Sequence, residues 1–205
     1  MTTTPTIVTP ELLKTMSYCV TDIECLHDVD MKHFKFDDAE FLGLATACVV
    51  DQNDDYRDFV HNSDAFRYLS HLLKHKLIIT YNGEGFDYPL LGGALLYANN
   101  PQAKRYIQNL FKGRTVDLAQ DFKEALGHRI GLNKVSIPTL GDHKEMDGAK
   151  APAMFRNGKI LEVLEYNRGD LRRTKDLFIK AVNGEELKVE TRSGIKTFKC
   201  QVKLR

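Results

Sequence analysis

The amino-acid sequence predicts an α/β domain with a mixed central sheet, followed by a C-terminal β-hairpin. Three observations predict it. Short apolar or alternating stretches near 18–24, 41–50, 55–60 and 77–81 have strand lengths. Longer stretches at 64–75, 86–98, 102–111, 118–126 and 160–182 space their leucines as helices do. The resulting order, three strands, a helix, a strand and then helices, is that of a layered α/β domain.

Taken in order, residues 1–16 are rich in Thr and Pro and read as a flexible arm. Tyr18–Glu24 (YCVTDIE) alternates in period two, and Phe41–Val50 (FLGLATACVV) is apolar enough to be a central strand covered on both faces. Asp55–Val60 gives a third strand, and the three together read as an antiparallel meander. Asp64–His75 is a helix with Phe66, Leu69, Leu72 and Leu73 on one face, and Leu77–Tyr81 (LIITY) is a strand. A Gly-containing turn at Asn82–Gly85 leads into a helix over Phe86–Ala98, with Pro89 tolerated in its first turn. Two further helices, Gln102–Phe111 and Leu118–Leu126, bracket a short strand at Val116 and Asp117. Ile137–Asn157 carries Gly141, Gly148 and Pro152 and reads as a long loop with some helix. Ile160–Val182 is a long helix, and Leu187–Lys203 folds back on itself at Ser193-Gly194. The chain thus divides into an arm (1–16), one domain (17–183) and a hairpin extension (184–205).

Length and composition bound the function. A chain of 205 residues with 42% hydrophobic content has enough apolar material for one full core. Its charge is balanced, 29 basic against 28 acidic residues, which argues against a protein that coats nucleic acid by charge alone. No apolar run approaches the roughly 20 residues that span a bilayer, and the N-terminus lacks a secretory pattern. Cys19, Cys25, Cys48 and Cys200 form no CxxC pair. Reduced thiols in a cytoplasmic protein are the expectation, with no membrane partner.

The chemistry is carried by acidic residues. Asp22 and Glu24 stand two apart on the first strand, so they project from one face. Two neighbouring carboxylates on an apolar strand repel unless a cation neutralises them, and hard oxygen donors suit Mg²⁺ or Mn²⁺. The same pair also fits a strand edge facing solvent. Asp87 opens a helix just after a strand, a position shared by helix caps and by the site residues of α/β enzymes. Tyr166 and Asp170 lie four apart on the last long helix and share a face. With Arg168, Arg172 and Arg173 around it, Asp170 also fits a salt-bridged surface.

Together, the Asp-x-Glu strand, the run LIITYNGEGFDYPLL and the ending EYNRGDLRRTKDLF resemble the DEDD (DnaQ-like) superfamily of 3′–5′ exonucleases. The Tyr of the last motif places the resemblance in the DEDDy branch, nearest the PolB-type and YprB-type predicted exonucleases. Where the DEDDh branch carries His, this chain has Glu165. The resemblance spans about Ser17 to Ala181. It implies a ribonuclease H-like fold, a mixed five-stranded sheet with helices on both faces. It implies that Asp22, Glu24, Asp87 and Asp170 hold two divalent cations, Mg²⁺ or Mn²⁺, and that Tyr166 orients the hydrolytic water. A phenol with an ordinary pKa of about 10 is a poor base, so positioning is the role expected of it. One departure is Cys25, where the first motif often has Thr; it marks a possible difference in contact with the terminal nucleotide.

The activity implied is metal-dependent hydrolysis of single-stranded DNA, or RNA, from its 3′ end, releasing nucleoside 5′-monophosphates. Asn82 and Phe86 frame the second motif as substrate contacts, with Tyr81, Tyr88 and Phe155 as further stacking candidates. Lys144, Lys150, Arg156 and Lys159 are placed to meet phosphates, or simply to be solvated. Two alternatives stay open: an endonuclease or exoribonuclease of the same fold, and a non-catalytic nucleic-acid-binding or assembly module. A protein partner from a replication, repair or phage system is compatible with a chain that carries no polymerase of its own.

Overall fold

A computed structural model describes residues 5–28, 36–96, 101–142 and 147–205. Five strands form one sheet: β1 (Tyr18–Cys25), β2 (Leu44–Asp51), β3 (Tyr56–Val60), β4 (Leu77–Thr80) and β5 (Thr115–Asp117), in spatial order β3-β2-β1-β4-β5. β1, β2 and β3 pair antiparallel, whereas β4 and β5 run parallel to β1. The meander and the mixed sheet are as the sequence predicts.

Period two along β1 sorts its side chains onto two cores. Cys19 and Ile23 join Ala47, Val49 and Ile78 in a core covered by α2 (Ala65–Leu72), α3 (Asp87–Leu96) and α4 (Pro101–Phe111). Val20 joins Cys48, Val50 and Ile79 on the opposite face, under α5 (Leu118–Leu126), α6 (Leu132–Leu140) and α8 (Ile160–Val182). A sheet covered on both faces needs strands apolar on both sides, which is why β1, β2 and β4 are almost wholly buried. Asp22 and Glu24 share the parity of Val20, so they interrupt the apolar face that α8 crosses.

Several expectations change. The second strand begins at Leu44, because Phe36–Phe41 forms a 3₁₀ helix and Gly43 takes φ +64°. The stretch 137–157 is largely helical: α6 ends there, a 3₁₀ turn spans Gly148–Lys150, and α7 covers Ala151–Arg156. Two prolines hide this. Pro138 sits inside α6, and Pro152 sits in the first turn of α7, where a missing N–H costs little. Lys144, and the end of the helix expected to reach Ala98, lie outside the described residues.

Residues 5–16, read from sequence as an arm, carry a short helix and backbone pairing with the tail. A short helix α1 (Pro10–Leu13) is capped by the Thr9 hydroxyl. The Val8 N–H donates to the Val202 carbonyl and the Leu204 N–H to the Thr6 carbonyl, both at 2.9 Å. On its other side the tail reaches β5, where the Arg205 N–H donates to Thr115 at 2.8 Å. The first two pairings join chain ends nearly two hundred residues apart, so no local pattern announces them. The third covers the β5 edge that would otherwise present open backbone groups. The predicted hairpin is present as β6 (Leu187–Thr191) and β7 (Gly194–Phe198). Among the described residues no helix is long and apolar enough to cross a membrane.

Candidate metal centre

β1 supplies two carboxylates from one face of a rigid strand, and α8 crosses that face. Tyr166 and Asp170 are one helical turn apart on α8, which brings Asp170 to the strand pair. One carboxylate oxygen each from Asp22, Glu24 and Asp170 lie within 4.8 Å of one another. Segments nearly 150 residues apart in sequence therefore converge on one small acidic centre.

Asp87 stands beside this trio rather than within it. It opens α3 at the C-terminal end of β4 and is only 3% exposed. Its charge acts on both Asp22 and Glu24, and its Oδ1 is buried without a hydrogen-bond partner. A buried carboxylate oxygen left without a donor is costly in a protein otherwise well satisfied. That orphan oxygen and an all-oxygen donor set fit a hard divalent cation.

The electrostatics say the same. Burial, then the charges of Asp87, Glu24 and Asp170, hold the Asp22 carboxyl well above the usual carboxylate range. Glu24 is raised by burial and by Asp170 and Asp87. Asp87 is pushed up to about 8, by burial first and Asp117 second. Tyr166 is buried, hydrogen-bonded to Asp170, and its hydroxyl is raised by burial and by Asp170 and Glu24. A phenol in that position stays protonated. Gly148 lies against its ring tip, where an added Cβ would stand 3.0 Å from the Tyr166 oxygen.

The other predicted site residues fall differently. Asn82 takes φ +66° at the end of β4, and its N–H donates to Asp117 at 2.8 Å. It borders a cavity of about 400 Å³ with Tyr81, Gln120 and Arg129, not the carboxylates themselves. Phe86 is half-buried against the core of the α2–α4 side. Cys25 is a correction. It has the parity of Ile23, its side chain is 6% exposed within the core, and its sulfur donates to the His27 carbonyl. Burial pushes its thiol up to about 12. Tyr88 is also core, with its hydroxyl on Thr115. Tyr81 is half-buried with its hydroxyl on the Ile130 carbonyl, and Phe155 is half-buried. Arg156 is engaged by Asp28 and the Leu26 carbonyl, while Lys150 and Lys159 are exposed.

Two residues were not singled out from sequence. Asp117 is fully buried at the end of β5, and its carboxylate accepts N–H groups from Asn82, Glu84 and Ala119. It fixes the turn that delivers Asp87. An Asp between a strand and a helix was the available signal, and it reads locally only as a cap. Asn167, on α8, is fully buried and donates to the Asp22 backbone carbonyl at 3.4 Å.

A stability prediction follows from the raised carboxyls. In the metal-free protein their folded pKa values exceed the unfolded ones, so the folded state holds protons that the unfolded chain has lost. Stability is then greatest at low pH and falls as pH rises through the folded values. From pH 7 to 8.5, above the range where the half-buried His71 and His75 titrate, each retained proton costs up to about 1.4 kcal/mol per pH unit. Tm of metal-free protein should fall by a few degrees over this interval. Millimolar Mg²⁺ or Mn²⁺ should flatten the slope and raise Tm at pH 8.5. Differential scanning calorimetry with and without EDTA measures both. A slope unaffected by divalent ions would remove the metal reading.

No curated protein sequence matches the chain at a significant level. Among solved structures it is similar to the family B DNA polymerase from the hyperthermophilic archaeon Pyrobaculum calidifontis, with 18% identity and a TM-score of 0.59. That match covers 82% of this chain but 24% of the polymerase, so the chain corresponds to about a quarter of that protein's length. At this identity the likeness is one of fold. The family model of the RNase H superfamily matches residues 37–182. With that model spanning most of the chain, and the β3-β2-β1-β4-β5 sheet carrying carboxylates on its central strand, the chain belongs to the RNase H superfamily.

Proposed function

We propose that the chain is a divalent-metal-dependent 3′–5′ exonuclease of the DEDDy type, acting on single-stranded DNA and releasing nucleoside 5′-monophosphates. One observation carries the reading: Asp22, Glu24 and Asp170 converge within 4.8 Å with Tyr166 hydrogen-bonded to Asp170. Asp87, buried alongside, completes the acidic set.

Two bound cations would polarise the scissile phosphate and supply hydroxide-like water at neutral pH. The chain's own part is to hold charge and geometry. Asp22, central among the four by its electrostatic coupling to Asp87, Glu24 and Asp170, would touch both ions. Glu24 and Asp170 would hold one ion, and Asp87 the second. Tyr166 donates to Asp170, which leaves its oxygen lone pairs to accept a hydrogen bond from the attacking water and aim it. Asn82, at the cleft beside the same end of the sheet, and Phe86 remain the substrate contacts of this reading. Cys25 is withdrawn because its thiol is buried. The polymerase likeness, at 18% identity, supports the fold on which this reading is built.

The test is digestion of matched single-stranded oligonucleotides labelled at the 3′ or the 5′ end, as DNA and as RNA, with Mg²⁺ and with EDTA. The 3′ label should appear at once as mononucleotide, while the 5′ label should pass down a ladder, and EDTA should stop both. Internal fragments of the 5′-labelled strand would replace this reading with an endonuclease. Faster loss of RNA would make it an exoribonuclease. Lack of cleavage with every substrate would leave a binding module.

A further inference from the structure

Arg173 is the largest fully buried side chain among the described residues, at 1% exposure. It lies on α8 one turn beyond Asp170. Its Nη1 donates to Asp170 Oδ1 at 2.8 Å and its Nε donates to Asp142 Oδ2 at 2.9 Å. Asp142 follows Gly141, the left-handed C-cap of α6, and also accepts from Arg172 at 3.3 Å. One guanidinium therefore sits between a carboxylate of the acidic centre and a carboxylate outside it.

As a brace between α6 and α8 this arrangement is poor. Burying a guanidinium carries a desolvation penalty that its ion pairs do little more than offset, and an apolar side chain of similar volume often serves as well or better. The surroundings already supply apolar contact through Val135 and Leu171, both fully buried. A cation beside a cation site also needs a reason. Asp142 provides its counter-charge, so the pair is nearly neutral and leaves the charge of the acidic centre for metal ions. What the pair then adds is direction. Asp22 and Glu24 project from a strand paired there with β2, and Asp170 projects from α8. An aspartate carboxylate on a fixed backbone can still rotate about its side-chain bonds. A planar fork with a fixed donor geometry restrains such a carboxylate better than a point charge does.

We propose that Arg173, held by Asp142, is a positioning residue that keeps the Asp170 carboxylate turned into the metal centre. The inference rests on the metal reading of that centre. Outer groups that orient a ligand carboxylate typically change metal affinity by about 10–100-fold when removed.

The experiment is Mn²⁺ titration by calorimetry on the metal-free full chain, with Tm recorded for every variant. Arg173→Met should weaken Mn²⁺ binding by about 10–100-fold, and Arg173→Lys, which keeps charge but loses the fork, should lie between it and the parent. Asp142→Asn alters the Arg173 side of the pair and leaves Asp170 itself in place, and it should weaken Mn²⁺ binding by about tenfold. If Arg173→Met does not fold, Asp142→Asn decides. A lowered Tm with unchanged Mn²⁺ affinity in these variants would make the pair a brace and overturn the proposal, leaving the metal centre standing. Tighter binding would overturn it too, by showing that Arg173 competes with the ions. Failure of the parent chain to bind Mn²⁺ would instead remove the metal reading on which the proposal rests.

Discussion

Asp22→Asn is expected to lower phosphodiester hydrolysis by about 10³-fold while leaving the fold intact and the metal-free protein slightly more stable. Polarisation by bound cations is worth several kcal/mol of transition-state stabilisation, and about 4 kcal/mol corresponds to a factor near 10³ in rate. Asp22 is the residue whose charge is felt with Glu24, Asp87 and Asp170 together, so its loss should weaken both ion positions. The backbone cost is small. Asn keeps the shape, β1 remains paired through Asp22↔Cys48, and the Asn167 bond goes to the Asp22 carbonyl, not the side chain. Stability moves the other way from activity because one of several mutually repelling carboxylates is gone. Initial rates on a 3′-labelled strand, with Tm in EDTA, check both halves. A variant as fast as the parent would remove Asp22 from the reaction. A variant that is slow because its Tm has collapsed would show a fold effect instead.

Much of the site was legible because two simple periodicities carry it. Parity along β1 put Asp22 and Glu24 on one face, and the four-residue step along α8 put Tyr166 with Asp170. The structure keeps both relations and adds the contact between them. The same parity argument applied to Cys25 would have placed it with Ile23, on the core side. Its assignment as a substrate contact rested on its neighbour's role rather than on its own geometry. The arginines around Asp170 illustrate a different limit. Sequence offered a surface salt-bridge face or a metal ligand as alternatives, and the structure contains a salt-bridged face together with a converging carboxylate cluster. Arg168 pairs with Asp58 and Arg172 with Asp142 on the outside, while Arg173 turns inward to Asp170. Asp117 could not be read because its partners are backbone N–H groups of a turn 33 and 35 positions earlier. The tail over β5 escaped for the same reason: backbone pairing between segments far apart in sequence leaves no local pattern.

Gly93→Ala tests the packing that delivers Asp87, and a large loss of stability is the expected result. α3 is apolar along most of its length (DYPLLGGALL) and buried, as a helix without a polar face must be. At Gly93 it meets the 3₁₀ helix over Phe36–Phe41. A Cβ there would stand 1.8 Å from the Glu40 carbonyl oxygen, 2.6 Å from its carbon and 2.9 Å from its Cα. All three are backbone atoms, so no side-chain rotation relieves the overlap, and the two elements must separate. Helix propensity alone would favour Ala by about 1 kcal/mol, which makes the sign of the result informative. Forced overpacking costs typically 1–3 kcal/mol and occasionally more. With rigid backbone on the other side the net loss should reach about 3 kcal/mol, a Tm decrease of about 6–12 °C for a chain of this size. Gly131→Ala, where nothing lies within 4 Å of the added carbon and φ is −80°, should leave Tm nearly unchanged. Because α3 begins at Asp87, the displaced helix should also weaken Mn²⁺ binding measured by calorimetry below the variant's Tm. A Gly93→Ala protein with a raised Tm would mean that α3 and the 3₁₀ helix are not in contact. The placement of Asp87 beside the Asp22–Glu24–Asp170 cluster would then have lost its support on that side.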